Sequence, residues 1–332
     1  MTPPASPGLR WGILGPGGIA RAFAADLRTA GLDIVAVGSR SAESAAAFAA
    51  EFDVARTHGS YDDLVSDADV DIVYIATPHP FHAEQAILAL EHGKHVLVEK
   101  PFTLNAAEAA AVRDVAADRG LLAMEAMWTR YLPHMARIRE IVGSGTLGDI
   151  RALTADHTQL ISSDPTHRLN ALELGGGALL DLGIYPISFA WDMLGEPLTI
   201  AASARLGDTG ADTEIATIMS HASGALSTSL SASRAAGPNT AHIIGTDARV
   251  DIDRVWYNAS SFRVVAPDGA VLEEYTSDIQ GRGMQFQALA AERIVAKGRT
   301  DSELLPIDET VAIMATLDEI RELVGVRYPG EE

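Results

Sequence analysis

The chain has 332 residues, of which 47% are hydrophobic and 21% charged, so it can bury a sizeable core and does not have the composition of a disordered protein. Its formal net charge of −20 opposes binding to nucleic acids or anionic membranes, because both interactions depend on clustered positive charge. The absence of cysteine excludes disulfides, thiolate nucleophiles and cysteine-ligated metals.

The first ten residues contain three prolines and no apolar stretch, which does not fit a secretory signal. No apolar run elsewhere approaches the ~18 residues that a membrane-spanning helix needs. We therefore expect a cytoplasmic protein that binds a small molecule, and neither nucleic acid nor membrane.

Residues 1–125 alternate short apolar runs with helical patterns, which is typical of a parallel sheet built from βαβ units. The runs predicted as strands are Leu9–Leu14, Ile34–Val37, Ile72–Ile75, His95–Val98 and Leu121–Ala123. One intervening helix is expected to end at Gly93, and another to run from a cap at Asn105 towards Gly120. We assign residues 1–125 to a doubly wound Rossmann domain.

After Met124 the pattern changes, and from Ile150 to Thr276 it is mostly period-two alternation, which is typical of a mixed or antiparallel sheet. The predicted strands are Arg151–Gln159, Thr199–Arg205, Thr213–His221, Ala225–Ser233, His242–Ile244, Arg249–Asp253 and Phe262–Val265. Two helices, Phe286–Val295 and Pro306–Val324, are predicted near the C-terminus. We assign 126–332 to an α+β domain with a large, mainly antiparallel open sheet, and allow for its last helix to pack back on the first domain. The small side chains of this sheet suit contact with another subunit.

A dinucleotide-binding turn of the G-x-G-x-x-A form is predicted at residues 15–20, where the first strand meets a helical face. Gly15 permits the tight turn, and Gly17 lets the backbone approach a pyrophosphate. The helix start at Gly18 and Ile19 offers unpaired N–H groups and the positive end of the helix dipole. A glycine-rich turn without a ligand is the alternative.

The residues after the second strand indicate which dinucleotide is bound. An NAD site usually has a carboxylate there for the ribose 2′-hydroxyl, but this sequence has Ser39, Arg40 and Ser41. Arg40 can hold a 2′-phosphate through two hydrogen bonds and stack on adenine, while Ser39 and Ser41 donate further hydrogen bonds. We therefore expect NADP in preference to NAD; a solvated surface role for Arg40 is the alternative.

The apolar strand at His95–Val98 is followed directly by Glu99, Lys100 and Pro101. Ligands of open parallel sheets bind beyond the carboxyl ends of the strands, so Glu99 and Lys100 are expected to face the cofactor crevice. A partly dry cleft disfavours an ammonium ion, which suits a lysine to acid–base chemistry near neutral pH. A surface ion pair of little energetic value is the alternative.

A triple-glycine run at residues 175–177 opens a further predicted helix. Asp181 and Tyr185 are four residues apart and so share a helical face, and Pro186 predicts a kink nearby. A carboxylate, a phenol and the amine of Lys100 around one carbinol would suit hydride transfer, because one of them can exchange the hydroxyl proton. An ordinary polar helix face is the alternative.

Together, these motifs resemble the Gfo/Idh/MocA oxidoreductase family over nearly the whole chain. The residues that carry the resemblance are Gly15–Ala20, Ala76-Thr77-Pro78 with His82, Glu99-Lys100-Pro101 and Gly175–Tyr185. Within the family, the segment Met124–Tyr131 and the triple glycine look most like dihydrodiol dehydrogenases and NADP-dependent D-xylose 1-dehydrogenases.

The resemblance implies that Lys100 is the catalytic lysine, that Tyr185 is the general acid/base and that Asp181 positions substrate hydroxyls. Whether Lys100 or Tyr185 moves the proton stays open, since one hydrogen-bonded network can couple them. The resemblance also implies that the open sheet forms a dimer and that Trp128 lines the substrate pocket, with packing at the domain junction as the alternative for Trp128. The cofactor contacts that it implies outside the glycine turn are Ala76, Thr77, Pro78, His82, Glu99, Lys100 and Arg168, the last preceded by His167 where the family has a tryptophan.

The sequence therefore predicts an NADP-dependent oxidoreductase that acts on a secondary alcohol or hemiacetal of a sugar or cyclic trans-diol. A keto-sugar reductase is the alternative within this class, and a non-catalytic NADP-binding sensor or scaffold is the alternative from another class. Two H-x-x-H pairs, His79 with His82 and His92 with His95, lack the further ligands that zinc requires, so no metal site is expected.

Overall fold

The computed structural model describes residues 8–331, which divide into two compact units. The first unit is built from the chain up to Trp128 together with Gln280–Met314. The second is built from Thr129–Ile279 together with the chain from Ala315 onwards. The chain therefore returns to the first unit after it has completed the strands of the second.

The first unit contains a six-stranded parallel sheet. Its strands are β1 (Trp11–Leu14), β2 (Ile34–Gly38), β3 (Arg56–His58), β4 (Ile72–Ile75), β5 (His95–Val98) and β6 (Ala123–Glu125). The order β3-β2-β1-β4-β5-β6 is that of a dinucleotide-binding sheet, whose ligand crevice lies beyond the carboxyl ends of β1 and β4. The predicted Rossmann architecture is confirmed.

The second unit contains an eight-stranded sheet in the order β14-β13-β12-β11-β7-β10-β9-β8. Its strands are β7 (Ile150–Thr158), β8 (Pro197–Leu206), β9 (Asp212–His221), β10 (Leu226–Ala232), β11 (Ala241–Gly245), β12 (Arg249–Ile252), β13 (Phe262–Val265) and β14 (Val271–Tyr275). All neighbouring pairs are antiparallel except β7 and β10, which are parallel. The predicted large, mainly antiparallel sheet is also confirmed.

The α-helices follow the hydrophobic periodicity and the capping residues of the sequence. They are α1 (Gly18–Thr29), α2 (Ala42–Phe52), α3 (Tyr61–Val65), α4 (His82–Glu91), α5 (Ala106–Arg119), α6 (Pro133–Gly143), α7 (Ile184–Leu194), α8 (Gln285–Ala296) and α9 (Ile307–Val324). The Asn105 side chain caps α5 by accepting a hydrogen bond from the Glu108 amide at 3.0 Å, and Gly120 ends it with φ +65°. Within residues 8–331 no helix combines the length and apolar character needed to cross a membrane.

The core of the first unit joins the sheet to α1 and α8. The rings of Phe23 on α1 and Tyr74 on β4 stack with centroids 3.8 Å apart, and the Trp11 indole of β1 donates to Glu292 on α8. Asp26 on α1 is buried and accepts hydrogen bonds from two amides of the returning segment, those of Arg282 and Met284. These contacts hold α8 beside β1 and α1.

The structure differs from the predicted elements mainly in the edge strands. Strands β3 and β14 were not predicted: β3 is only three residues long and polar, and β14 is an outer strand with exposed and charged residues. The strand predicted at Leu121–Ala123 lies instead at Ala123–Glu125. Glu125 can lie in this buried strand because its carboxylate accepts a hydrogen bond from the Phe102 amide at 3.1 Å. A search for runs of apolar residues does not predict a glutamate at such a position.

Candidate active site

The glycine turn at residues 15–18 lies beside the loop that follows β4, at the switch point of the parallel sheet. Gly15 has φ +88°, and a Cβ there would lie 2.9 Å from Thr77 Cγ2 and 3.2 Å from the Ala76 backbone, so only glycine fits. A Cβ on Gly17 or Gly18 would meet no heavy atom of residues 8–331 within 4 Å. The turn is therefore tight against the protein on one side and open on the side where a ligand would approach.

The start of α1 fits a dinucleotide pyrophosphate. Gly17 caps the helix in an extended conformation and no side chain caps it, so the first amide hydrogens of α1, from Gly18 and Ile19 onwards, have no partner within the helix. Such a helix start combines unpaired donors with a positive dipole end. The residues present therefore fit the phosphates of a dinucleotide.

Arg40 follows β2 and is exposed, whereas its neighbour Ser39 is buried. The Arg40 guanidinium lies 5.8 Å from the centroid of the Phe81 ring, within the range of a cation–π contact. The Ser39 hydroxyl accepts the Ser41 amide at 3.1 Å, and Ser41 in turn caps α2. This arrangement presents a fixed, solvent-accessible cation at the carboxyl edge of the sheet.

His82 joins the loops that follow β4 and β5. Its ring is fully buried, with one nitrogen 2.8 Å from the Thr77 carbonyl and the other 2.9 Å from the Pro101 carbonyl. Burial lowers its pKa, and the two carbonyls partly oppose that shift. Because both nitrogens contact the main chain, His82 holds the two loops that carry Thr77 and Lys100.

Glu99 and Lys100 lie directly beyond β5, as the sequence predicts for the end of that strand. Glu99 is buried: Tyr74 donates a short hydrogen bond to Oε1, and the Lys100 amide lies 3.2 Å from Oε2. Lys100 itself is only half-buried, and the peptide bond to Pro101 is cis. Both oxygens of the glutamate thus fix the backbone and the strand around Lys100.

In the second unit, Asp181 and Arg168 form a two-point ion pair. The two guanidinium nitrogens of Arg168 lie 3.0 and 3.2 Å from the two carboxylate oxygens. The Asp181 side chain is 7% exposed and that of Arg168 is 51% exposed, so the pair joins a buried carboxylate to a solvent-facing cation. The sequence analysis placed Asp181 and Arg168 with different ligands and did not anticipate their contact.

The segment predicted as one helix after the triple glycine is divided in the structure. The run 175–177 is followed by a π-helical turn, Leu179–Gly183, and then by α7. Asp181 lies in the π-helical turn and Tyr185 in the first turn of α7. Pro186 explains the interruption, because it provides no amide hydrogen for an α-helical bond, and π-helical turns are frequent at functional sites.

Tyr185 lies in a buried aromatic cluster of the second unit. Its ring contacts His157 edge-on at 4.9 Å between centroids and Tyr257 at 5.3 Å, and His157 stacks on Tyr257 at 3.8 Å. The sequence analysis missed His157 and Tyr257, which come from distant segments. The only sequence signal for either residue was the position of His157 on the inward face of the predicted strand Arg151–Gln159. The cluster restricts the orientation of the Tyr185 ring.

Asp212 is a third residue that the sequence analysis missed. It is buried at the start of β9, and its Oδ2 accepts the Leu179 amide at 2.7 Å, which holds the beginning of the π-helical turn. Burial raises the pKa of Asp212 to about 6, although hydrogen bonds from the backbone partly oppose this shift. Gly177 is required beside it, because a Cβ at that position would lie 2.2 Å from Asp212 Oδ1.

Two further expectations concern Trp128 and metal ions. Trp128 is 5% exposed and is the last residue of the chain's first pass through the first unit.

Among residues 8–331 no group of three His, Asp or Glu residues is arranged to hold a metal ion. His79 and His82 are neighbours, with ring centroids 5.8 Å apart, but both ring nitrogens of His82 face main-chain carbonyls.

The first unit holds a helix start that fits a phosphate, an exposed arginine and a lysine, and the second unit holds a carboxylate and a phenol. Two family models match this chain. A model described as an oxidoreductase family with an NAD-binding Rossmann fold matches residues 9–127, and a model described as the GFO/IDH/MocA C-terminal domain matches residues 135–251. Together they cover the whole first sheet and strands β7 to β11 of the second sheet, with most of β12.

Similar proteins of known activity match nearly the full length. Trans-1,2-dihydrobenzene-1,2-diol dehydrogenase of Mus musculus is 32% identical, over 98% of this chain and 99% of that protein. D-xylose 1-dehydrogenase (NADP(+)) of Hypocrea jecorina is 35% identical, over 97% of this chain and 93% of that protein. The crystal structure of a 3-ketoreductase from Actinomadura kijaniata with NADP and TDP-benzene is 27% identical, with a TM-score of 0.85 over 96% of this chain and 98% of that one.

Proposed function

Because the chain belongs to the Gfo/Idh/MocA oxidoreductase family, we propose that it transfers a hydride between NADP and a secondary alcohol or hemiacetal carbon of a sugar or cyclic trans-diol. It is an oxidoreductase of the dehydrogenase and reductase class that acts on CH–OH groups. The observation that carries the substrate class is the full-length similarity to one enzyme named for a cyclic diol and another named for an aldose.

We assign the cofactor to the first unit. The start of α1, around Gly17, would bind the pyrophosphate, and Arg40 would bind the 2′-phosphate. Thr77 and Pro78, in the loop that His82 holds, would lie along the nicotinamide half, with Glu99 and Lys100 nearby. When bound, NADP would supply a carbon that accepts or gives a hydride.

We assign substrate recognition mainly to the second unit and proton transfer to Lys100 and Tyr185. The buried Asp181 carboxylate would accept hydrogen bonds from substrate hydroxyls, with Arg168 holding it in place. The Tyr185 phenol and the Lys100 amine would hold the reacting oxygen, and one of them would take its proton as the hydride leaves. Trp128 would contribute an apolar wall for the substrate ring.

A spectrophotometric assay tests the proposed function. The purified protein is mixed with NADP and a panel of aldoses, anhydro-sugars and cyclic trans-diols, and the absorbance of the reduced nicotinamide is followed. Turnover on at least one panel member is expected. Tight NADP binding without turnover in either direction would instead support a sensor or scaffold.

Reduction of a keto-sugar is the second candidate function. The similar 3-ketoreductase, bound to NADP in its crystal structure, favours it, because the same residues can return a proton to a ketone oxygen. The assay in reverse, with NADPH and a panel of keto-sugars, compares the two directions through kcat/KM. A higher value for a ketone than for any alcohol would make this the main function.

Replacing Arg40 by Ala tests the cofactor assignment. The guanidinium would make charge-assisted hydrogen bonds to a phosphate that only NADP has, so we expect kcat/KM for NADP to fall about 10- to 100-fold and the value for NAD to change little. Arg56→Ala is the matched control. It removes the same charge from β3, where Arg56 pairs with Asp67 and Asp69, and should leave the NADP-to-NAD ratio unchanged. An equal loss for both cofactors on replacing Arg40 would contradict the phosphate role.

We also propose that the open face of the eight-stranded sheet pairs with a second copy of the chain. Most side chains in the middle of this face of β8, β9 and β10 are small or apolar, and the charged Arg205 and Glu214 lie opposite each other towards one end; the small or apolar residues are Ala201, Ser203, Ala216, Ile218, Leu226, Thr228 and Leu230. Ile218 is 55% exposed and Leu226 and Leu230 are each 48% exposed, an apolar patch of the kind that marks protein–protein interfaces. In a two-fold symmetric dimer this face would contact the same face of the second copy.

Replacing Ile218 by Asp should convert the dimer to a monomer. Two buried carboxylates near a symmetry axis would have to lose water without a cationic partner. Size-exclusion chromatography coupled to light scattering measures the molecular mass at several protein concentrations. Leu323→Asp, which places the same charge on the exposed side of α9, is the control and should stay dimeric. A monomeric parent at all concentrations would contradict the proposed interface.

A further inference from the structure

Pro186 leaves one carbonyl of the segment that carries Asp181 and Tyr185 without its α-helical donor. In an α-helix the carbonyl of Leu182 accepts the amide hydrogen of residue 186, and proline has none. The turn before Pro186 is π-helical rather than α-helical. The Ile184 amide contacts the Leu182 carbonyl from within the turn, but a carbonyl oxygen has two lone pairs, so burial favours a further donor at this point.

His157 on β7 is placed to supply that donor. Its ring is 2% exposed, and Nδ1 lies 3.1 Å from the Leu182 carbonyl oxygen. Its other nitrogen, Nε2, lies 2.9 Å from the side-chain amide nitrogen of Gln159, which can only donate. The two contacts agree on one tautomer, in which Nδ1 carries the hydrogen and Nε2 accepts.

The same ring is held firmly against Tyr185. It stacks on Tyr257 with an interplanar angle of 25°, and presents its edge to Tyr185 at 73°. Tyr257 is itself fixed, because its carbonyl accepts the Thr129 hydroxyl at 2.6 Å. A displacement of His157 would therefore move both the backbone at Leu182 and the phenol ring three residues later.

The geometry points to His157 as a positioning residue for the reaction: it replaces the donor that Pro186 removes, and it thereby sets the orientation of Tyr185. This inference rests on the proposed function, because it concerns the orientation of Tyr185 in proton transfer. It assigns His157 no contact with substrate or cofactor. Proton transfer depends steeply on the geometry of the transferring group, so a small rotation of Tyr185 would lower kcat with little effect on cofactor binding.

A double-mutant cycle between His157 and Pro186 tests the inference. His157→Phe keeps the stacked ring and removes the donor to Leu182, so kcat should fall about tenfold while KM for NADP stays within about twofold. Pro186→Ala returns an amide hydrogen to the helix. In that background, His157→Phe should lower kcat by less than about threefold relative to Pro186→Ala alone. The same loss of kcat in both backgrounds would overturn the inference.

Two further variants separate positioning from stability. His157→Asn keeps a donor near the Nδ1 position and should retain more kcat than His157→Phe. If the phenylalanine variant does not fold, His157→Asn and the double variant still complete the comparison.

His221→Phe is the control for stability, because it removes a similar bond, of 2.9 Å, to the carbonyl of Gly195 at the end of α7. It should lower Tm and leave kcat within about twofold, and an equal loss of kcat from His221→Phe would show that the effect is only one of stability.

The cycle also distinguishes this inference from the proposed function. A parent enzyme with no turnover in either direction overturns the proposed function, and the positioning role falls with it. An active parent whose kcat is unchanged by His157→Phe overturns the positioning role alone. Coupling between His157 and Pro186 in kcat supports both.

Discussion

Replacing Lys100 by Met is expected to lower kcat by about 10²-fold or more while leaving the affinity for NADP within about threefold. Methionine keeps the length and the apolar stem of the side chain but removes the amine, so the variant loses a proton-transfer group without leaving a large cavity. Because Glu99 and His82 hold the backbone around Lys100 through main-chain contacts, the loop should keep its conformation. Single-turnover kinetics measure the chemical step, and titration of the cofactor fluorescence measures NADPH binding.

Lys94→Met is the matched control for this prediction. Lys94 is buried, and its ammonium group donates to the carbonyls of Asp67 and Val70 at 2.7 and 2.8 Å, on the opposite edge of the sheet from the glycine turn. Its loss should lower Tm and leave kcat unchanged. Near-normal turnover in Lys100→Met would remove this lysine from the reaction, and a matching loss of kcat in Lys94→Met would show only that buried lysines stabilise the first unit.

Replacing Tyr185 by Phe is expected to reduce kcat by about 10²-fold, with KM for NADP nearly unchanged. The substitution removes only the hydroxyl, and the ring contacts with His157 and Tyr257 remain, so the loss reports on the phenol itself. If Lys100 and Tyr185 act on the same proton, the double variant should lose little more than the worse single variant. Fully multiplicative losses would mean that the two groups serve separate steps.

Tyr275→Phe controls for the loss of a phenol at a site without catalytic assignment. Tyr275 lies on the outer strand β14 and stacks on Phe262 with ring centroids 5.2 Å apart. The kcat of the Tyr275→Phe variant should equal that of the parent protein. For alcohol oxidation, comparison of the pH–rate profiles of Tyr185→Phe and Lys100→Met then shows which variant no longer loses rate at low pH, and so which group takes the proton as the base.

Much of the first unit could be predicted because its elements follow local rules. The strands Ile72–Ile75 and His95–Val98 have the predicted limits, since buried parallel strands are continuous apolar runs bounded by polar residues. Gly93 and Gly120 end their helices at positive φ, as the sequence predicts. The glycine turn and Lys100 fall at the carboxyl edge for the same reason: a parallel sheet places all strand ends on one side.

The second unit was predictable in outline but not in the details that hold its functional residues. Period-two alternation located β7 to β13 to within two residues, because one face of this sheet is buried and the other exposed. The expectation of a single helix after residues 175–177 was incomplete, since it did not include the π-helical turn. Pro186 signals an interruption in the sequence, but a proline does not show which donor compensates for it.

The sequence by itself predicted most of the strands and helices in their order, the dinucleotide turn, an arginine placed to favour NADP, and the catalytic candidates Lys100, Asp181 and Tyr185. These follow from periodicity, from backbone constraints and from the chemistry of single side chains. Only the tertiary structure decided that Arg168 pairs with Asp181, that Asp212 holds the π-helical turn, and that His157 donates to Leu182. The physical reason is that these bonds join residues 13, 33 and 25 positions apart, whose meeting depends on how the sheet and the helix pack and not on any local pattern.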